Sequence, residues 1–456
     1  MTRITSTNPA TGEPIGDHTL LDAAGIDAAL ESAWAGWHAW RTVPVAARSE
    51  RLQRLGAVLR RSAEAFACMI VAEMGKPISQ ARGEIEKCAG LCDWYAANGA
   101  AMLADEPLPV HDDGAATLVW QPIGPVLAVM PWNFPIWQVL RAAVPILLAG
   151  NGFVLKHADN VLGSAAMLAG AVLEAGFPDG VFTNLPIAQD DIARVIADRR
   201  IAAVTVTAGV AAGAAIAAEA GRNLKKSVLE LGGIDPFIVL ADADIDAAAE
   251  AAVRSRFLNT GQVCIAAKRM IVEASVVDAF TERVVTLTKA LAIGDPTRPD
   301  TFIGPMARSR GRVELHRQVC ASVAQGARLL VGGQPIDRAG NFYAPTVLAG
   351  VGPGMTAACE ELFGPVAAIM TARDAEHAVT LANGTDYGLS AALWTSDAAR
   401  GRRLARDIDA GAVFVNGISA SDPRVPIGGI GKSGYGRELS WFGLREFSNA
   451  KLVWAR

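Results

Sequence analysis

This chain lacks an excess of either charge. Its 456 residues carry 42 Lys and Arg against 46 Asp and Glu, a formal net charge of −4, with no block of like charges. That gives no footing for nucleic acid or an anionic membrane surface, and neither partner is expected. Cysteine is sparse as well: Cys68, Cys88, Cys92, Cys264, Cys320 and Cys359 are scattered, with no C-x-x-C pair. The pattern argues against a disulfide framework and for a reducing, cytoplasmic setting. Cys88 and Cys92 are spaced to share a helix face, but no His–Cys cluster completes a set of ligands, so packing is expected and no metal site. The start, Met1 to Pro9, has no apolar h-region, and no secretory signal is expected. One uncharged run, Ile201 to Ala218, is rich in Ala, Gly and Thr and has no Leu or Phe. It reads as a strand, a turn and a helix start rather than a membrane span. Repeats and low-complexity linkers are also missing.

Hydrophobic residues make up 51% of the chain and charged residues 19%. That composition is globular, and the length allows two or three domains with a large core. From Asp22 to Ala104, Ala, Glu, Arg and Leu recur at helical spacing. His111 to Gly114 reads as a loop and Ala116 to Pro122 as a strand. From Gly124 to about Gly233, strands (126–130, 152–156, 181–185, 202–207 and 227–231) alternate with helices (164–175 and 192–199). This βαβα order predicts a doubly wound parallel sheet. A second series of strands (236–239, 269–272, 367–371, 391–395 and 412–416) predicts another α/β unit. The tail, Lys451 to Trp454, reads as a short strand with an open edge, which argues against a monomer.

Three pieces carry chemistry. Cys264 ends Asn259-Thr260-Gly261-Gln262-Val263-Cys264, with basic Lys268 and Arg269 close behind. A free thiol has a pKa of about 8.5 and becomes a nucleophile where its thiolate is favoured. The bland reading of Cys264 is a core cysteine. Glu230 ends an apolar strand before Gly232-Gly233, where partial desolvation would raise its pKa toward that of a useful base. Alone, it reads as a strand-end cap. Asn133, in Pro131-Trp132-Asn133-Phe134-Pro135, offers an amide donor for an oxyanion, although an Asn in a turn ordinarily bonds its own backbone. Together the three suggest covalent chemistry on a carbonyl carbon. Gly209 to Gly213 follows a strand and opens an Ala-rich helix, where a pyrophosphate could sit. The motif is weak, without G-x-G-x-x-G or G-K-[ST], and a plain βα turn reads equally well.

These motifs, with Asn8-Pro9-Ala10-Thr11-Gly12-Glu13, Glu360-Glu361-Leu362-Phe363-Gly364-Pro365 and Gly434-Tyr435-Gly436-Arg437-Glu438, resemble the aldehyde dehydrogenase superfamily over essentially the whole chain. Val129 to Gln138, Leu155 to Ala158, Cys264 to Arg269, Ser421 to Pro426 and Gly434 to Ser440 look most like the short bacterial succinate-semialdehyde dehydrogenases. The resemblance implies an α/β fold: a Rossmann-type cofactor domain (1–114 and 125–231), a second α/β catalytic domain (232–425) and a small oligomerisation element (115–124 and 436–456). It implies NAD(P)-dependent oxidation of an aldehyde to an acid through a thioester on Cys264. Asn133 would hold the oxyanion and Glu230 would activate water. Trp132, Lys156, Leu231, Glu361 and Phe363 would contact the cofactor, Lys156 and Glu361 through the riboses. Asp159, where relatives often have Glu in NAD users, favours NAD over NADP. Arg141, eight positions after Asn133, would grip the carboxylate of succinate semialdehyde. A homodimer or homotetramer is expected.

The chain also departs from that pattern. The phosphate turn reads Thr207-Ala208-Gly209, without the usual serine. Pro426-Ile427-Gly428-Gly429 replaces a Phe-containing motif. A second substrate arginine carried by some relatives six positions before the nucleophile is Leu258 here, so Arg256 or Arg424 is expected to compensate. The rival readings are oxidation of another small aliphatic aldehyde, a cysteine hydrolase, for which no histidine pairing is recognisable, and a non-catalytic member of the fold.

Overall fold

A computed structural model describes residues 2–110 and 114–455. The loop expected at His111 to Gly114 therefore falls mostly outside the described residues.

Two parallel sheets organise the chain. In the first, Lys226–Glu230, Ala203–Thr207, Pro125–Met130, Gly152–His157 and Phe182–Asn184 lie side by side and parallel, and Gly434–Tyr435 closes one edge antiparallel. The second has seven strands, six of them parallel, with Arg269–Glu273 and Pro236–Val239 near its centre and Arg328–Val331 antiparallel at one edge. Strands buried on both faces read as continuous apolar runs, which is why both series were visible. The uncharged run resolves into the strand Ala203–Thr207 and the helix Val210–Arg222. No helix among the described residues is long and apolar enough to cross a membrane.

Four helices, Ala23–Trp40, Val45–Arg61, Ala63–Met74 and Ile78–Met102, fill the region expected to be helical. Cys88 and Cys92 lie buried on the last of them, and the described residues hold no cluster of metal ligands. Sequence patterning misses the hairpin Arg3–Thr7 with Pro14–Thr19 and the helix Trp137–Leu148. Every residue of that helix is buried, so no polar face marks its period. The C-terminal strand is longer than expected. Ser448–Ala455 pairs antiparallel with Ala115–Pro122 along its whole length, and Glu106–Leu108 covers the other side of the middle strand.

The segment leading to Cys264 is unusual. After the helix Ile245–Phe257, three consecutive residues, Asn259, Thr260 and Gly261, adopt positive φ of 53°, 55° and 72°. Only glycine fits the third position, because a Cβ there would collide with the Gly364 carbonyl. Left-handed Asn and Thr persist only where surroundings over-determine them. Here Asn259 Nδ2 donates to the Asn133 carbonyl at 2.7 Å, Thr260 Oγ1 donates to the Gly304 carbonyl at 3.2 Å, and Gln262 Nε2 donates to the Asn259 carbonyl at 3.1 Å. Beneath them lies Arg256, fully buried, whose guanidinium donates to the carbonyls of Gly261, Leu362, Gly364 and Val366. Burial draws its pKa down to about 9. Each stranded buried carbonyl costs about 1–3 kcal/mol, so Arg256→Met is expected to lower the unfolding free energy by about 3 kcal/mol or more. Urea denaturation measures this, and a loss below about 1 kcal/mol would mean the carbonyls find other partners.

Candidate active site

Glu230 is the last residue of its strand, and the chain leaves the sheet there through two glycines, so the carboxylate points out of the carboxyl end of the sheet. It is buried, and burial raises its pKa above the ordinary carboxylate range; Arg141 opposes the shift and Glu438 adds to it. Arg141, on the helix Trp137–Leu148, lies between the two carboxylates. Its Nη2 stands 3.7 Å from Glu230 Oε2, and its Nε pairs with Glu438. Burial alone would lower the Arg141 pKa; Glu438 and Glu230 outweigh it and raise it. Sequence reasoning gave Glu438 no role beyond a motif. The signal was the glycine-rich run before it: Gly434 and Gly436 let that strand press against Leu229 and Val228.

The thiol of Cys264 stands where two cavities meet. One, of about 220 Å³, is lined by Trp132, Asn133, Leu231, Glu361 and Phe363 as well as Cys264. The other, of about 570 Å³, is lined by Arg141, Leu258, Val263 and Ile265 together with Cys264 and the wall of the helix Ile78–Met102. Only Gln138 joins Cys264 in lining both. Gln138 is buried with its Oε1 unpartnered, and nothing in the sequence singled it out. Burial pushes the Cys264 thiol up to about 11, while Arg141 and Lys268 pull the other way. Lys268 donates to the Cys264 carbonyl and pairs with Glu361 at 2.9 Å, fixing the backbone on the far side of the sulfur. Asn133 Nδ2 donates to the Gln262 carbonyl at 3.0 Å, which ties the Pro-bracketed turn to the nucleophile loop.

A third cavity, of about 410 Å³, adjoins the first through Pro131, Trp132 and the Thr207-Ala208-Gly209 turn. Lys156 and Asp159 line it, joined by an ion pair of 2.6 Å, and Arg308 reaches in from the other sheet's side. The first N–H groups of the helix that follows Gly209 have no intrahelical acceptor, and among the described residues no side chain caps them. A Cβ on Gly209 would meet nothing within 4 Å, which leaves room for a phosphate to approach the turn. Gly213 serves packing instead, because a Cβ there would strike Leu231. A nicotinamide dinucleotide therefore fits the residues present: an anion site at the helix start, polar groups for its sugars, and an aromatic end beside Cys264. Trp132 and Phe363 pack edge to face at 5.8 Å at that end.

Two expected substrate residues lie elsewhere. Arg256 is the structural clamp described above and lines none of these cavities. Arg424 is exposed and bonded to Asp422, with Nε–Oδ1 at 2.8 Å. The cations that do line the larger cavity are Arg141, Lys87 and Arg254.

A thiol at the end of a dinucleotide-shaped cleft is the arrangement of a thiol-dependent oxidoreductase. The chain belongs to the aldehyde dehydrogenase family, whose profile matches residues 1–453. It is 54% identical over 453 residues to the succinate semialdehyde dehydrogenase [NAD(P)+] Sad of Escherichia coli (strain K12), covering 99% of this chain and 98% of that one. It is 45% identical over 454 residues to a succinate-semialdehyde dehydrogenase [NADP(+)] of Mycolicibacterium paratuberculosis, covering 99% and 96%. The crystal structure of succinic semialdehyde dehydrogenase from Streptococcus pyogenes, in complex with NADP+, superposes with a TM-score of 0.96 at 37% identity and covers 99% of each chain.

A carboxyl group with a raised pKa accepts a proton only above that pKa. Aldehyde oxidation is therefore expected to rise from acid through neutral to alkaline pH. Glu230→Gln should slow turnover by about 100-fold or more, the usual worth of a positioned base, and remove the part of that rise set by the carboxyl, leaving the part set by the Cys264 thiol. A pH–rate profile of both proteins checks this; an unchanged slope in the variant would remove Glu230 from the titration.

Proposed function

We propose that this chain oxidises succinate semialdehyde to succinate with NAD or NADP as the hydride acceptor. The observation that carries the reading is the position of Cys264, shared between a dinucleotide-shaped cleft and a cavity rich in cations. The names of its relatives point the same way. Arg141, Lys87 and Arg254 suit an aldehyde whose second end is anionic.

In this reading the Cys264 thiolate adds to the carbonyl carbon, and the new oxyanion is held by the Asn133 side-chain amide and the Cys264 backbone N–H. A nicotinamide dinucleotide held in the cleft would supply the acceptor for the hydride that this carbon must lose. Glu230 then takes a proton from water, which attacks the thioester carbon and releases the acid and the thiol. Arg141 keeps Glu230 and Glu438 from repelling one another while both are buried. Trp132, Lys156, Asp159, Gly209, Leu231, Glu361 and Phe363 would hold the cofactor, while Gly213 lets its helix pack closely. The open edge of Ser448–Ala455, with Leu452, Val453 and Trp454 exposed, supports assembly as a homodimer or homotetramer. A thiol that must stay reduced suits a cytoplasmic setting.

Reduced-nicotinamide formation tests the reading. Succinate semialdehyde is expected to exceed butanal in kcat/KM by about tenfold or more, a difference of about 1.4 kcal/mol. Cys264→Ala should abolish turnover while leaving dinucleotide binding intact. Equal rates with both aldehydes would sink the substrate assignment. Asp159 bears on cofactor choice in this reading: it lines the same cavity as Lys156, and a carboxylate there would repel a 2′-phosphate. Asp159→Ala is expected to lower the KM for NADP by about fivefold, roughly 1 kcal/mol, with little change for NAD. Parallel titrations with the two cofactors decide it.

A further inference from the structure

The first two turns of the helix Ile78–Met102 carry Gln80 and Glu84, four residues apart and so on one face. Each holds one of the two segments that frame the thiol. Glu84 holds the first. It is buried, and its Oε1 accepts from the N–H groups of Ile136, at 2.9 Å, and of Trp137, at 3.0 Å. Those are the opening donors of the helix Trp137–Leu148, whose own N-cap residue supplies no side-chain acceptor. A carboxylate there also suits the positive end of the helix dipole. Glu84 Oε2 pairs with Lys76, and Lys76 Nζ stands 3.7 Å from the centroid of the Phe134 ring. The turn that carries Asn133 is therefore gripped just beyond it, at Phe134, Ile136 and Trp137.

Gln80 holds the second segment. Its Oε1 accepts from the Asn259 N–H at 2.7 Å, and its Nε2 donates to the Phe302 carbonyl at 2.9 Å. Both ends of the amide are used, so its orientation is fixed. Asn259 is the first of the left-handed residues that lead to Cys264. The two segments also meet directly, since Asn259 Nδ2 donates to the Asn133 carbonyl and Asn133 Nδ2 to the Gln262 carbonyl. The latter bond uses one of the two hydrogens on the Asn133 amide and leaves the other for a ligand. An oxyanion site with its two donors on separate segments works only while their spacing is held.

We propose that Gln80 and Glu84 are positioning residues that set the Asn133 amide against the Cys264 backbone N–H, so that one helix face fixes the spacing of the two oxyanion donors. Each acts through the backbone N–H groups it holds. This inference deepens the proposed function and rests on the role given there to Asn133.

The test measures aldehyde oxidation, dinucleotide binding and alkylation of Cys264 by iodoacetamide. Alkylation forms a C–S bond as iodide leaves, and no oxyanion arises, so it reports the thiol alone. Gln80→Leu is expected to lower kcat by about tenfold, with the KM for succinate semialdehyde and the alkylation rate each changed less than about threefold. Dinucleotide affinity reports that each variant is folded. Gln80→Glu keeps an acceptor for Asn259 and is expected to recover most of the loss. Breaking the buried Lys76–Glu84 pair on one side leaves a stranded charge, so the pair is changed as a unit. Lys76→Met with Glu84→Leu is expected to lower kcat as Gln80→Leu does, and Lys76→Met with Glu84→Gln, which keeps an acceptor for the helix, to recover it. In the Asn133→Ala background Gln80→Leu is expected to cost less than about threefold, because the donor it places is gone. An unchanged kcat in Gln80→Leu, an equal fall in kcat and in alkylation, or an undiminished loss in the Asn133→Ala background overturns the positioning role and leaves the proposed function standing. A rise in KM alone makes Gln80 a cavity wall and overturns it equally. Wild-type turnover in Asn133→Ala itself removes the oxyanion assignment and this proposal with it.

Discussion

One buried guanidinium holds together the part of this molecule on which its chemistry depends. Arg256 offers its fork to carbonyls from two separate segments, the nucleophile loop at Gly261 and the stretch from Leu362 to Val366. Water cannot reach those oxygens, so the four bonds are replaceable only at a high free-energy cost. The same contact joins Cys264 to Glu361 and Phe363, which lie beside it in one cavity. Cys264 and the aromatic end of the cleft are thereby built as one unit. The left-handed run at Asn259, Thr260 and Gly261 is the conformational strain this unit absorbs.

Electrostatics in the site follow from dehydration of groups that must carry charge. The Cys264 thiol and the Glu230 carboxyl are both driven toward their neutral forms by burial, and Arg141 and Lys268 supply the opposing field. Two carboxylates, Glu230 and Glu438, share one guanidinium. One cation between two buried carboxylates opposes the rise that burial imposes on Glu230 without cancelling it. Glu438 itself is set by a local irregularity: Leu439 and Ser440, which follow it, have φ of 62° and 51°.

The division of space matters as much as charge. Two cavities share Cys264 in their linings, and polar groups are sorted between them and the cleft beyond. Lys156, Asp159 and Arg308 face the cofactor side, while Lys87, Arg141 and Arg254 face the other. Leu258 at the position of one expected arginine does not make that cavity neutral, because Lys87, Arg141 and Arg254 line it.

Much was legible before any coordinates. The parallel strands announced themselves as apolar runs between helical segments, and Cys264, Glu230 and Asn133 stood in motifs whose chemistry follows from residue type. Local patterning reaches that far because strand burial and turn chemistry are short-range properties. It failed at Trp137–Leu148, a helix with no polar face, and at Arg256, where a charged side chain near the nucleophile looked like a ligand and is a carbonyl clamp. It also failed at Lys87, Gln138 and Glu438, which come from three distant stretches and meet only around a shared cavity or ion pair. The sequence by itself determined the kind of fold and the reactive groups. Tertiary structure alone decided which cations face the cavity and which are already neutralised, because that depends on what lies within a few ångströms through space, and spacing along a chain does not record it.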